Sequence, residues 1–246
     1  MDRKQFIKSM ALLPLISRSM NLKDLNKMTS AMSSTGKMPV LFLGHGSPMN
    51  AIEENEFVSA FKKLGKELVR PNAILCISAH WETKGTFVTA MQNPPTIHDF
   101  GGFPQALFDV QYPAKGSPKL AQETKNIITK TEVGLDDKGV LIIGSGNIVH
   151  NLGMVAWKKL NEEFAFDWAI EANEKMKNYI LSGDHQKLID FKSQGKAFDL
   201  AIPTPEHYLP LLYTLALKEE NEKITLFNDK AVGGSLSMTS LKIESA

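Results

Sequence analysis

Three times along this chain an apolar run gives way to small residues and then a histidine. MPVLFLG (38–44) leads into HGSPMN, NAILCIS (72–78) into AHW, and GVLIIGSG (139–146) into NIVH. A continuous apolar run of this length, closed by a turn residue, is the pattern of a strand buried on both faces, as in a parallel sheet. Parallel strands finish at the same end of their sheet, and in open α/β sheets ligands bind in the crevice beyond those carboxyl ends. Three such strands would carry His45, His80 and His150 toward one place. His207, in TPEHY at the mouth of a helical stretch, can join them.

The segments between the runs supply the helices. EENEFVSAFKKLGKEL (53–68) places Phe57, Ala60, Phe61 and Leu64 on one helical face. Residues 118–130 begin with a proline suited to a first helical turn. Residues 166–183 are amphipathic with a glycine stop, 184–195 have Asp184 as a candidate N-cap, and 204–220 read as a further helix. NIVHNLGMVAWKKL reads as a loop entering a helix, TFVTAMQ (86–92) as a less buried strand, and KITLFND (223–229) and SLSMTSLKI (235–243) as closing strands. The expected fold is α/β, a single domain with a largely parallel or mixed central sheet flanked by helices. The chain's 246 residues, 43% of them hydrophobic, suffice for one such core. The stretch 93–118, rich in proline, glycine and aromatics, is too long for a plain connector, and loops of that kind are usually functional.

Residues 1–37 stand apart as a leader and linker, and the domain is expected over 38–246. The leader has a basic start and a short apolar run, MALLPLI, at the lower limit for a signal-peptide core and without a clean cleavage site. A cytoplasmic location is therefore expected, with export as the minor alternative. No run is long enough to cross a bilayer. A net charge of +1 without a basic stripe argues against nucleic-acid or membrane partners and leaves a small molecule as the expected one. The lone Cys76 excludes an intrachain disulfide, fits a reducing compartment, and is expected to be a small buried hydrophobe.

Neutral imidazole is a good ligand for zinc or iron, and a rigid sheet can fix ligands that are far apart in sequence. Any one of these histidines, taken alone, is more often an ordinary core or loop residue, and no HExxH or CxxC signature is present. Their matching placements make the case. Glu82 and Glu206 lie close by in sequence, so two histidines and a carboxylate, the set used by non-haem Fe(II) oxygenases, are also available. His98 sits in the long loop and His185 on a helix expected to be solvated. Trp81, Phe100, Phe103 and Tyr208 are candidate walls of an aromatic-sized pocket. GSGN (144–147) lacks both the GxGxxG spacing and a P-loop lysine, and reads as a tight turn positioning Asn147 and His150. Ser47 and Ser145 lack the GxSxG setting of a nucleophile.

The segments LFLGHGSPMN, SAHW, PPTIHDFGGFPQALFDVQYPA, GSGNIVHNL, TPEHYLPLLY and GGSLSM together resemble the bacterial 4,5-DOPA extradiol dioxygenase family, within the class III extradiol ring-cleaving dioxygenases. The likeness runs from Met38 to about Ile243. It implies a site for one ion per chain, Zn²⁺ or non-haem Fe²⁺, at His45, His80, His150 and His207. It gives His150 a catalytic acid–base role; His98, from the long loop, and Tyr208, from the pocket wall, are expected against the substrate. The implied reaction inserts O₂ into a DOPA-like catechol and opens the ring beside its two hydroxyls. Binding both catechol oxygens and O₂ needs three open metal positions, so His150 or His207 is expected to leave the ion when catechol arrives.

The chain departs from the family at one point. Family members carry a strand–helix unit with an Asp-His-Gly motif between the segments matching TEVGLDD and KGVLIIGSGN, and here LDDKGVL joins the two directly at Asp137–Lys138. The second acid–base histidine of the class is lost with it. A zinc-dependent hydrolase and a non-catalytic metal-binding relative therefore stand as alternatives on the same scaffold.

Overall fold

The computed structural model describes residues 37–84, 87–128, 140–160 and 162–246. The leader over 1–36 and the Asp137–Lys138 junction lie outside the described residues. The first strand, β1 (Val40–Gly44), is followed by helix α1 (Glu56–Glu67), strand β2 (Ala73–Ser78), the short α2 (Gln105–Phe108) and α3 (Pro118–Ile128). Strand β3 (Val140–Gly146) leads to α4 (Asp167–Ser182), α5 (His185–Ile189), α6 (Lys196–Ala201) and α7 (Leu209–Leu215). The chain closes with β4 (Glu222–Phe227), the two-residue strands β5 (Ala231–Val232) and β6 (Leu236–Ser237), and β7 (Ser240–Ser245).

The main sheet has the order β2-β3-β1-β7-β4. β2, β3 and β1 are parallel, while β7 runs antiparallel to both β1 and β4, so the sheet is mixed. The three histidine-bearing runs are thus neighbours, with the same direction and the same C-terminal edge. Side chains alternate across β1 and β3. Val40, Phe42 and Ile142 enter the larger core with Ala172, Met176, Phe198 and Leu211 from the helices on that side, while Leu41 and Leu141 pack on the other side with Leu64 and Leu68. Burial on both faces is why these strands read as unbroken apolar runs.

β2 differs. Among the described residues β3 is its one sheet neighbour, so it is an edge strand, and only its Leu75 and Ile77 reach the larger core. Ile74 is 52% exposed and Cys76 is exposed. The expectation of a buried cysteine is corrected. Cys76 lies beside Ile143 on the face where α1 covers β1 and β3, and the smaller core on that face contains no β2 residue.

Other elements are shorter than their patterns suggest. Residues 87–92 of the expected strand 86–92 form no strand. The helix expected after His150 is a pair of 3₁₀ turns, Leu152–Met154 and Trp157–Lys159. The helix expected over 204–220 shrinks to α7, and the last expected strand divides into β6 and β7. His185, expected on a solvated face, is half-buried. No helix among the described residues is long and apolar enough to cross a membrane.

Candidate metal centre

Each histidine arrives at the sheet's C-terminal edge by a backbone route fixed locally. His45 directly follows β1, and its N–H donates to the Gly146 carbonyl at the end of β3 (3.1 Å). His80 follows β2, where the Ala79 N–H donates to the Ser145 carbonyl (2.9 Å). His150 lies one turn beyond β3, its N–H donating to the Ala201 carbonyl (2.9 Å).

His207 is brought in by close packing. A Cβ built on Gly144 would lie 2.7 Å from Thr214 Cγ2 and 2.8 Å from the Pro210 carbonyl oxygen, and one on Gly146 would lie 2.2 Å from the His207 carbonyl oxygen. Two glycines, both on the face of β3 that α7 covers, thus let the α7 entrance lie directly on the sheet. Asn147 completes the seat: its N–H donates to the His207 carbonyl (2.8 Å) and its Nδ2 to the Ser237 carbonyl (2.7 Å). Gly146→Ala is expected to displace His207, costing about 1–3 kcal/mol of stability through overpacking. Urea denaturation checks this, and metal affinity measured on the same variant should fall in parallel.

Three imidazoles form a nearly equilateral triangle. Ring centroids are 5.1 Å apart for His45–His80, 5.3 Å for His45–His207 and 5.0 Å for His80–His207. One nitrogen from each lies within 4.8 Å of those of the other two. His45 Nε2 and His80 Nε2 are 3.4 Å apart. Two nitrogens each about 2.05 Å from a tetrahedral ion lie about 3.3 Å apart, so this pair already has the spacing of two ligands on one ion.

The outward nitrogens are held. His45 Nδ1 lies 3.0 Å from Ser145 Oγ, His80 Nδ1 donates to Asp99 Oδ2 at 2.6 Å, and His207 Nδ1 faces Glu206 Oε1 at 3.4 Å. A carboxylate only accepts hydrogen bonds, so the proton of His80 sits on Nδ1 and its Nε2 lone pair faces the triangle. Glu206 also accepts from Thr204 Oγ1 at 2.7 Å. Burial pushes the Glu206 carboxyl up, but the bonds from Thr204, its own backbone and His207 outweigh that and hold it below its ordinary value.

His150 stands apart from the triangle. Its ring stacks on that of His207 at 3.5 Å and 6°. Three of the four expected ligands, His45, His80 and His207, form the triangle, and His150 meets His207 on its far side. Among the described residues a second grouping joins His150, Glu206 and His207. Glu82 enters neither grouping, and the triangle contains no carboxylate.

The site is electrostatically tuned toward neutral imidazole. Burial, then the neighbouring His207, His80 and His150, push His45 down to about 3. Burial, then His207, push His150 down to about 4, with Glu206 opposing. His207 is lowered as well, first by burial and then by His80, again with Glu206 opposing. Neutral nitrogens are what a metal requires of its ligands.

Two residues expected against a substrate have other engagements. Tyr208 is 1% exposed, packs against Phe191 and donates its hydroxyl to the Leu188 carbonyl at 2.9 Å. It is a core residue with its polar group satisfied internally, which corrects the expectation of a substrate contact. His98 donates Nε2 to the Val110 carbonyl at 2.9 Å and packs beside Phe100 and Phe108, within its own loop. Asp99 and Thr204 escaped the sequence reading, and Ser145 entered it only as a rejected nucleophile. Only the IHDF string offered any hint of Asp99, since nothing in its spacing ties it to SAHW.

Comparison with known proteins agrees with this geometry. The family described as the catalytic LigB subunit of aromatic ring-opening dioxygenase matches residues 39–136. A protein named 4,5-DOPA dioxygenase extradiol from Escherichia coli (strain K12) is 40% identical, over 86% of this chain and 96% of its own length. A protein of the same name from Beta vulgaris is 28% identical, over 83% of this chain and 96% of its own length. The crystal structure of the uncharacterized protein JW3007 from Escherichia coli K12 superposes with a TM-score of 0.69 at 33% identity, covering 84% of this chain and 100% of that one. The Escherichia coli alignment spans 265 positions, whereas 86% of 246 residues is about 212, so about fifty positions of it fall opposite no residue of this chain. Sheet, histidines and relatives together lead to one assignment: the chain belongs to the family of the catalytic LigB subunit of aromatic ring-opening dioxygenases.

Proposed function

We propose that this chain binds one divalent ion, Fe²⁺ for turnover or Zn²⁺ at rest, through Nε2 of His45, His80 and His207, and that it opens the ring of a DOPA-like catechol with O₂. The observation that carries the reading is the imidazole triangle, with each outward nitrogen engaged by Ser145, Asp99 or Glu206. When bound, the ion supplies Lewis acidity toward the catechol oxygens and, as Fe²⁺, the redox capacity to engage O₂.

The protein's own groups do the rest. His150, stacked on His207, is held neutral at pH 7 by burial and by His207, and the negative charge of a bound catecholate would raise its proton affinity toward that of a base for the catechol hydroxyl. His207 is 8% exposed and braced by Asn147 and Glu206, so it stays in place while the proton moves. Both oxygen atoms of O₂ enter the product as the carbon–carbon bond beside the two hydroxyls breaks. The aromatic loop around His98 and Phe100 lies next to the site through Asp99 and forms the near wall for an aromatic substrate.

An oxygen electrode tests this. Protein loaded anaerobically with Fe²⁺ should consume one O₂ per catechol and generate a yellow ring-opened product that carries both atoms of ¹⁸O₂. The fifty or so unmatched positions, together with the Asp-His-Gly segment that the resemblance implies is absent, favour a second reading, a metal-binding relative without turnover. Stoichiometric metal binding with no oxygen uptake on any catechol selects that reading. Hydrolysis of an ester by the zinc form alone selects a metal-activated-water enzyme.

A further inference from the structure

The three triangle histidines are not equally secured. His207 is 8% exposed and His45 is partly buried beside Ser145, so packing holds both rings. The His80 side chain is 46% exposed and lies past the end of an edge strand. Its outward nitrogen has one partner, Asp99, at 2.6 Å.

Asp99 is itself presented by pinned neighbours. On one side His98 donates Nε2 to the Val110 carbonyl at 2.9 Å. On the other, Phe100 packs against Phe103 and Phe108 with ring centroids 5.7 and 5.2 Å away. The Tyr112 N–H donates to Thr96 Oγ1 at 3.0 Å, closing the loop across its base.

We propose that Asp99 is a positioning residue for the metal centre: it fixes the tautomer and direction of His80, so the aromatic loop over residues 96–112 is part of the apparatus that holds the ion. This rests on the metal reading above. The physical basis is general. A carboxylate accepting the second N–H of a ligand histidine orients the ring and raises its basicity, and losing such a partner typically weakens metal binding by about 10–100-fold. As a half-exposed pair in the metal-free protein, Asp99–His80 contributes little to folding. The role therefore shows in metal affinity and not in stability.

The test uses the full-length protein with Zn²⁺, titrated against a chromophoric chelator, and with Co²⁺ as a spectroscopic probe. Asp99→Ala is expected to weaken Zn²⁺ binding about 10–100-fold, with the thermal midpoint of the metal-free protein nearly unchanged. Asp99→Asn keeps the volume and one acceptor but loses the charge. It should bind Zn²⁺ with intermediate affinity and shift the visible bands of the Co²⁺ form, a change that a merely structural role would not produce. Asp99→Glu, which restores the charge, should recover part of the loss. Wild-type Zn²⁺ affinity and wild-type Co²⁺ bands in both the Ala and Asn variants would overturn the proposal while leaving the metal reading intact. His80→Ala, run alongside, separates the two: if it too binds Zn²⁺ like the wild type, the metal reading fails and the role of Asp99 goes with it.

Discussion

Alanine at His45 or His80 is expected to remove stoichiometric metal from the purified protein. Each side chain contributes one of three grouped nitrogens, and the pair is already spaced at 3.4 Å for a common ion. Because an outer partner of a ligand is worth about 10–100-fold, loss of a ligand itself should weaken Zn²⁺ binding by more than about 100-fold. Oxygen uptake by the Fe²⁺-loaded protein should fall to background in both variants. His150→Ala gives the informative contrast. His150 lies outside the triangle, so metal content should stay near one ion per chain while turnover drops by about 10²–10⁴-fold, the usual contribution of a general acid–base group. Elemental analysis and an oxygen electrode on the three variants, with circular dichroism as a folding control, decide the matter. If His150→Ala loses its metal as completely as His45→Ala, the four-ligand arrangement is restored and the triangle is wrong.

The metal-free protein should lose stability steadily as pH falls from about 6.5 toward 4. Burial, followed by the neighbouring imidazoles, holds His45 near 3 and His150 near 4, whereas unfolded histidine titrates near 6.5. Above 6.5 both states carry neutral rings and the folded state keeps its full stability. Below it the unfolded chain binds protons that the folded protein refuses, and each such group costs about 1.4 kcal/mol per pH unit until its folded value is reached. Two histidines give roughly 2–4 kcal/mol between pH 7 and pH 5, a large share of a typical domain's 5–15 kcal/mol. Urea midpoints at pH 7, 6 and 5 in a chelating buffer measure the slope. A flat profile over that range would show that the imidazoles are not held neutral by burial.

The legibility of the fold varied with how closely each element's surroundings matched its sequence pattern. β1 and β3 are covered on both faces, so their apolar runs translated directly into buried strands. β2 has a similarly apolar run yet sits at the sheet edge with Ile74 and Cys76 exposed. Composition alone cannot distinguish a covered strand from one that, among the described residues, pairs on a single side, because the run is the same and the difference lies in what packs beside it. The helix read over 204–220 shortened to α7, because its first residues are used to place His207 against Gly146.

The sequence by itself determined which residue types could do chemistry and at which end of the sheet they would gather. Continuous apolar runs point to parallel strands, and parallel strands place His45, His80 and His150 at one edge. Only the tertiary structure decided which of four histidines form a group, that His150 stacks on His207 outside it, and that Asp99, Ser145 and Glu206 engage the outward nitrogens. It also showed that Tyr208, a candidate wall of an aromatic pocket, packs in the core. The physical reason is range. Strand periodicity is local and can be read within about ten residues, whereas ligand convergence depends on ångström-scale contacts between positions as much as 162 residues apart, such as His45 and His207.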